Sequence, residues 1–398
     1  MTLTLLLDLD DTLLNTNLES FVPAYFQALA GQLAPHIDPT LMFRALVSGT
    51  RLMNDSQDFS RTLEQVFADE FYPQLNVSRG TLDPAIENFY DNIFPGLSTL
   101  TTQKPAAVPF VEWAFARGYR IAIATDPLLP RKATYHRLRW AGFDPDRFEL
   151  VSTYDHFHFS KTHPAYYAEV LGRMGWPDGP VLMVGNDMER DILPARRLGL
   201  NTWHVDETAG ARFDSYSGPH GDLESLRAWL EGVDLNALIP SFKTRDAVLA
   251  ILLSTPAALR SLVNGLDEPG WFYRSKPEDW GMNQLICHLR DTEREIHQMQ
   301  IRLFNEHDEP FIPRPDTSVW ASQRDYLQEE GPIALREFVE ARKQTMELLL
   351  RVSTENWSQK ARHAIFGPTN FLEVVAFMAD HDRMHVRQAW NMLKKQRG

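Results

Sequence analysis

Met1-Thr2-Leu3-Thr4-Leu5-Leu6-Leu7-Asp8-Leu9-Asp10-Asp11-Thr12 opens the chain and decides how the rest is read. The run Leu3–Leu7 is short, aliphatic and ends in carboxylates, the pattern of a fully buried parallel strand. In an open α/β sheet the chemistry gathers beyond the carboxyl ends of such strands. Asp8 and Asp10 are therefore expected side by side at a strand tip, facing a crevice. Two acids so placed suit a nucleophile and a proton donor, with a hard cation offsetting their charge.

Working outward, similar apolar runs recur at Tyr119–Thr125, Phe148–Ser152, Pro180–Gly185 and Asn201–Val205. Helical patterns lie between them at Val108–Arg117, Pro130–Ala141, Pro164–Met174 and Glu189–Leu198. Such alternation is the sequence form of an α/β fold with a Rossmann-like parallel sheet. One gap breaks it. Between the first strand and Tyr119 the periodicity is mainly helical, with candidates Leu18–Leu33, Pro39–Ser48, Phe59–Phe71 and Pro84–Ile93. A helical insertion over residues 16–95, directly after the acidic strand tip, predicts a cap that shuts out water and contacts the substrate. Arg51, Asn54 and Tyr90 are candidates for touching a leaving group.

From Thr244 the alternation stops. Thr244–Leu266, Trp280–Glu306, Ile333–Val352 and Asn370–Lys395 read as four amphipathic helices without strands, an all-α four-helix bundle. A Pro-rich loop, Glu309–Pro315, separates the second from the third. The expected division is residues 1–232, a linker at 233–243, and residues 244–398. A chain of 398 residues is long enough for two such domains, and 43% hydrophobic content is enough to fill both cores.

A formal net charge of -13 argues against nucleic acid as a partner. The single cysteine, Cys287, excludes an intrachain disulfide and a thiolate zinc cluster. No apolar stretch approaches the roughly 20 residues that a membrane-spanning helix needs. The first residues show no signal peptide pattern, so a cytoplasmic protein without membrane contact is expected.

Four clusters fall at the ends of expected strands: Asp8-Leu9-Asp10-Asp11-Thr12, Thr125, Lys161, and Gly185-Asn186-Asp187-Met188-Glu189-Arg190-Asp191. Singly, each reads as an acidic turn, a helix cap or a solvated charge. Together they compose a phosphoryl-transfer site. One carboxylate attacks phosphorus and a second, two residues on, protonates the leaving oxygen and then activates water. A hydroxyl and an ammonium hold the transferring oxygens, and an acidic loop holds magnesium.

The set resembles the haloacid dehalogenase superfamily of phosphohydrolases across residues 1–232. The resemblance implies Asp8 as nucleophile and magnesium ligand. It implies Asp10 as general acid/base, with its backbone carbonyl on the metal. Thr125 and Lys161 would bind the phosphoryl group, and Lys161 would also orient Asp8. Asp187 would complete the magnesium site, with Asn186 and Asp191 as ligands or supports. The chain departs from the family pattern at Thr162-His163-Pro164, where Lys-Pro is frequent, and at Asn186, where many relatives carry an acid. Asp126-Pro127 follows Thr125 in a tight turn of open role. Asp10 favours phosphate chemistry over carbon–halogen cleavage, because dehalogenases of the superfamily usually lack that acid.

On the second bundle helix Leu285, His288, Leu289, Thr292, Ile296, Met299 and Leu303 share one stripe, whereas Arg290, Arg294 and His297 are expected to face away. On the last helix the stripe is Phe371, Val374, Val375, Met378, His381, Asp382, His385, Ala389 and Met392. His381 and His385, four apart, can reach one metal, with His288 the third ligand from a facing helix. Buried histidines satisfied by hydrogen bonds, or by Asp382, are the alternative. Asp382 stands where a zinc peptidase carries glutamate, so peptidase chemistry is disfavoured. Trp271, Trp280, Trp320 and Trp357 read as packing residues. The histidine pattern resembles the DinB-like metal-binding four-helix bundles over residues 244–396. The resemblance implies a divalent transition metal, and imidazole suits zinc, nickel or iron equally.

The expected activity is a magnesium-dependent hydrolase of a small phosphorylated metabolite, acting through an aspartyl phosphate. Two other readings stand beside it. One places a thiol-dependent transfer or isomerisation at the bundle metal, with the amino-terminal half as scaffold. The other makes the bundle a binding or homodimerising module.

Overall fold

The computed structural model describes residues 1–206, 217–317 and 319–397. The chain divides into two compact units, Met1–Val170 with Pro177–Ser241, and Leu171–Trp176 with Phe242–Gly398. Each is taken by itself.

In the amino-terminal unit, β1 (Thr4–Leu7) is buried at every position. It is followed by the cap helices α1 (Leu18–Leu33), α2 (Pro39–Asp55), α3 (Leu63–Gln74) and α4 (Arg79–Asn88). Then come α5 (Ala107–Ala116), β2 (Arg120–Ile123), α6 (Arg131–Trp140), β3 (Leu150–Val151), α7 (Pro164–Arg173, its residues from Leu171 on counted with the other unit), β4 (Val181–Gly185), α8 (Leu193–Leu198), β5 (Asn201–Val205), β6 (His220–Gly221) and α9 (Leu223–Gly232). Among the described residues these strands form one sheet in the order β3-β2-β1-β4-β5-β6, parallel at each pairing. β1 is central: Leu5 pairs with Ile121 on one side and Leu182 on the other. Leu3, Leu5 and Leu7 pack into one core cluster, and Leu6 on the opposite face is fully buried too, which is why the run reads as continuously hydrophobic. The five expected strands are present; β6, two residues at the edge, has no counterpart in the sequence pattern.

The cap forms where helix-start chemistry is strong. The Asp38 side chain accepts from the Thr40 and Leu41 amides ahead of Pro39. Thr62 and Gln65 form a reciprocal capping box at α3. The sequence pattern ends the second cap helix at Ser48, but α2 continues to Asp55. Gly49 lies within it, where an added Cβ would come 2.7 Å from the Phe67 ring. The glycine permits close approach of α2 and α3 instead of ending the helix.

The carboxy-terminal unit is built on α10 (Arg245–Leu262), α11 (Met282–Thr292), α12 (Gln298–Glu306), α13 (Gly331–Leu350) and α14 (Phe371–Arg397). A single π-turn, Glu293–His297, joins α11 to α12, so the two act as one long helix of the bundle. The expectation of a strand-free bundle is corrected: Phe311–Ile312, Lys360–His363 and Gly367–Asn370 form a small sheet. Its first strand lies in the Pro-rich loop, whose prolines limit pairing to a short segment. Among the described residues no helix is long and apolar enough to cross a membrane.

Candidate active site and metal centre

The amino-terminal site is assembled by the sheet. The Asp8 amide donates to Val184 O at 2.9 Å, and the Ala124 amide donates to Leu7 O at 2.7 Å. These bonds bring the ends of β1, β2 and β4 to one place. After Asp8 the chain turns sharply, with Asp11 in the left-handed region at φ 54, a conformation an aspartate tolerates. The Asp11 carboxylate accepts from the Thr16 amide at 2.9 Å, and Asp10 Oδ1 accepts from the Thr16 hydroxyl at 2.6 Å.

Lys161 is buried and donates to Asp8 Oδ1 at 2.6 Å, and it also pairs with Asp191. Burial works against its charge, but the Asp191 and Asp8 carboxylates outweigh that and hold the ammonium above its ordinary range. Asp191 is pushed up to about 7 by burial and by Asp8, against the pull of Lys161. The approach of Asp191 depends on Gly185, where a Cβ would lie 2.2 Å from Asp191 Oδ2.

Asp126 gains a definite role. Its Oδ1 accepts from the Lys161 amide at 3.2 Å, and its Oδ2 pairs with Arg190. It thus ties the loop after β2 to the lysine loop and to the turn after β4. Thr125 is buried and lines the cavity; its carbonyl accepts from Ser152 at 2.6 Å and Tyr166 at 2.9 Å.

At the acidic loop both Asn186 and Asp187 line the cavity, but they make different contacts. Asp187 is exposed, and its Oδ1 caps the following turn by accepting from the Glu189 and Arg190 amides. Asn186 is the residue that meets the first strand. One of its side-chain amide atoms lies 2.9 Å from Asp10 O, 3.2 Å from Asp8 Oδ2 and 3.1 Å from Thr12 Oγ1. As nitrogen that atom faces all three as a donor, with two hydrogens to share among them. As oxygen it would set three oxygens around one point, an arrangement that a hard divalent cation makes favourable. The donor set of Asp8, the Asp10 carbonyl and Asn186 therefore fits magnesium.

Sequence spacing gave no hint of Arg137. It lies on α6, is buried, and pairs with Asp10 Oδ2 inside the cavity. Burial pushes it down to about 10, offset in part by Asp8. A cavity of about 390 Å³ runs from Asp8, Lys161 and Arg137 to the inner faces of α1, α2 and α3. Tyr90 lines it, but Arg51 and Asn54 do not. Arg51 instead pairs with Asp55 at the surface, and the Asn54 carbonyl accepts from Ser160 at 2.8 Å.

In the carboxy-terminal unit His288, His381 and His385 converge. His381 Nε2 lies 3.1 Å from His288 Nε2 and 3.2 Å from His385 Nε2. The ligand atoms of all three fall within 4.8 Å of one another. Burial lowers each imidazole: His288 falls to about 3, and His381 well below its ordinary value. Neutral rings with three nitrogens facing one point have at most a proton to share, so the donor set fits a divalent transition metal. The Nδ1 atom of His385 meets Gln388 Oε1 at 3.0 Å, which fixes the ring. Trp280, expected only to pack, stacks on His385 with centroids 6.3 Å apart.

Beside the triad lies a buried ionic network. Arg342 holds both oxygens of Glu293 (2.7 and 2.8 Å) and of Asp382 (2.7 and 3.1 Å). Asp382 therefore serves Arg342 rather than a histidine. His297 Nδ1 meets Glu293 Oε2 at 2.9 Å, and its ring stands 5.6 Å from that of His381. The helical count turns His297 and Arg290 away from the core, yet both are buried; of the three residues so assigned, only Arg294 is exposed. The π-turn at Glu293–His297 adds a residue to one turn and rotates α12 about the helix axis, so Met299 and Leu303 yield the core to Gln298, Ile301 and Phe304.

Residues 2–199 match the family of haloacid dehalogenase-like hydrolases, and residues 251–389 match the DinB superfamily. The chain joins a haloacid dehalogenase-like hydrolase to a DinB-superfamily bundle. No curated protein matches it. Among solved structures it is similar to a HAD phosphatase from Thermococcus onnurineus, at 21% identity and TM-score 0.39 over 58% of this chain and 99% of that one. It is likewise similar to a 2-haloacid dehalogenase from Pseudomonas syringae pv. Tomato DC3000, at 20% identity and TM-score 0.44 over 58% and 99%. YfiT from Bacillus subtilis, described as a probable metal-dependent hydrolase with an unusual four-helix bundle topology, aligns with 39% of this chain and 89% of its own, at 16% identity and TM-score 0.36. The match to haloacid dehalogenase-like hydrolases falls on the amino-terminal unit. The Cys287 thiol of the DinB unit is buried and pushed up to about 12, chiefly by burial, which removes it as a ready thiolate.

Proposed function

We propose that the hydrolase unit cleaves a small phosphomonoester through an aspartyl phosphate on Asp8. The observation that carries this reading is the division of labour at Asp8: Lys161 lies 2.6 Å from Oδ1, while Asn186 lies 3.2 Å from Oδ2. The carboxylate is thereby held in the cavity wall, with Lys161 compensating its charge, as a nucleophile requires.

An Asp8 oxygen bonds to phosphorus as the ester's bridging bond breaks, and Asp10 gives its proton to the departing alcohol. Water then attacks the phosphoryl group, returning a proton to Asp10 and releasing phosphate from Asp8. Lys161 and Thr125 face the non-bridging oxygens, where charge builds in the transition state. Arg137 pairs with Asp10 before substrate enters. A phosphate dianion entering between Lys161 and Arg137 draws the guanidinium toward itself and leaves Asp10 able to carry a proton. Magnesium, held by Asp8, the Asp10 carbonyl and Asn186, would supply further neutralisation of the phosphoryl charge. Asp191 supports Lys161, and Asp187 shapes the turn.

The test is phosphate release from simple monoesters with magnesium, wild type against Asp8→Asn. The proposal expects turnover in the first and its loss in the second with the fold retained; equal turnover contradicts it.

A second reading concerns the bundle. His288, His381 and His385 would hold zinc, nickel or iron, and a cavity of about 320 Å³ lies beside them, lined by Trp280, Gln388, Asp279 and Lys395. Gln388 and Trp280 link that cavity to the histidines. Thiol-dependent transfer or isomerisation at that metal is the activity of this second reading. Such turnover would vanish in His385→Ala and persist in Asp8→Asn.

A further inference from the structure

The walls of the amino-terminal cavity say what kind of alcohol the phosphate is attached to. We infer that the site takes phosphomonoesters whose leaving alcohol is apolar, an alkyl or aryl chain rather than a polyol. This rests on the phosphomonoester reading above.

Beyond Asp8 and Lys161 the cavity continues between Phe21, Tyr25, Leu29, Leu46, Phe71 and Leu129. These residues come from α1, α2, α3 and the segment before α6, and all but Leu129 are buried. Tyr154 and Thr50 bring two hydroxyls to the walls, and the other polar groups there are paired. The Tyr25 and Tyr90 hydroxyls hydrogen-bond to each other at 2.8 Å, and the Tyr72 hydroxyl donates to Asp83 at 2.8 Å. Arg79 pairs with Glu64 at 2.9 Å and with Asp83 at 3.2 Å. The Tyr25–Tyr90 contact uses one of the two hydroxyl protons, so these tyrosines present mainly ring faces and few free donors. A sugar or glycerol moiety would leave its hydration water and find few replacement hydrogen bonds, whereas an apolar chain gains by leaving water. The volume, about 390 Å³, lies within the range of pockets that enclose a small organic ligand.

The test compares primary-alcohol monoesters of similar intrinsic reactivity on the full chain with magnesium: ethyl, butyl and hexyl phosphate against glycerol phosphate and the phosphate ester of the glucose primary hydroxyl. The inference expects kcat/KM to rise by about two- to fourfold per added methylene, the gain expected for burying that group. It also expects hexyl phosphate to exceed both polyol esters by about tenfold or more. A flat alkyl series, or a polyol ester turned over as well as hexyl phosphate, overturns it. A calorimetric arm keeps the two ideas apart by measuring Kd for hexylphosphonate and for a glycerol-like phosphonate. If no ester is hydrolysed, the phosphomonoester reading fails. The binding arm then decides the cavity alone: tighter hexylphosphonate binding upholds an apolar ligand, and equal binding overturns it.

Discussion

Lys161 Nζ lies 2.6 Å from Asp8 Oδ1 and also pairs with Asp191, so one buried ammonium serves two buried acids. Its removal should affect the reaction more than any surface lysine could. Lys161→Met is expected to lower kcat by about 10²-fold or more, the scale for losing one transition-state donor. Phosphate release, with circular dichroism as a check on folding, measures it. A loss of less than about threefold would remove Lys161 from the chemistry.

Arg137 and Asp10 pair inside the cavity, and the account gives Arg137 its effect largely through Asp10. Arg137→Met and Asp10→Asn should each slow turnover, and the double variant should be no slower than the worse single variant. A double-mutant cycle on kcat reads this directly. Multiplying losses would show that the two act independently.

Much of this architecture is legible in the sequence because the physics is local. The apolar run Asn201–Val205 is β5, and the helical pattern Leu18–Leu33 is α1, each with the bounds its pattern predicts. Strand-tip logic likewise brings Asp8, Lys161 and Asp191 together across a sequence separation that no periodicity links. What escapes is whatever tertiary packing decides. Spacing cannot tell which of Asn186 and Asp187 meets the first strand, because the choice depends on Asp187 capping the next turn. Arg137 is one basic residue among several on α6 until packing buries it. His297 falls on the wrong face of a regular helical count because a π-turn leaves no signature in it.

The bundle histidines give a prediction with a built-in control. The full chain should bind one equivalent of a divalent transition metal, and His288→Ala, His381→Ala or His385→Ala should each lose most of it. His297→Ala should retain it, since His297 faces Glu293 rather than the three converging nitrogens. Elemental analysis of the purified variants tests this. Equal metal in the His385→Ala and wild-type proteins would contradict it.

Arg342 neutralises Glu293 and Asp382, and all three are buried. Arg342→Met should destabilise the protein by about 3–5 kcal/mol, the cost of stranding buried charge. A triple replacement by apolar residues of similar size should recover most of that loss. Burial opposes the Glu293 charge, but Arg342 and His297 overcome it and hold the carboxyl well below its usual range. That depressed value makes the stabilisation full above the unfolded carboxylate pKa and lost only as pH falls through the folded one. Without Arg342 the buried Glu293 takes up its proton at higher pH. The variant's deficit should therefore shrink between about pH 7 and pH 5, as denaturant unfolding at both values would show.

A covalent bond between Asp8 and phosphorus can be captured by chemical trapping. Wild-type protein is acid-quenched during turnover of a phosphomonoester with magnesium, digested, and its peptides weighed. The account predicts a gain of one phosphoryl group on the peptide bearing Asp8, absent in Asp8→Asn. Turnover in wild type with that peptide unmodified, or equal turnover in Asp8→Asn, would contradict it.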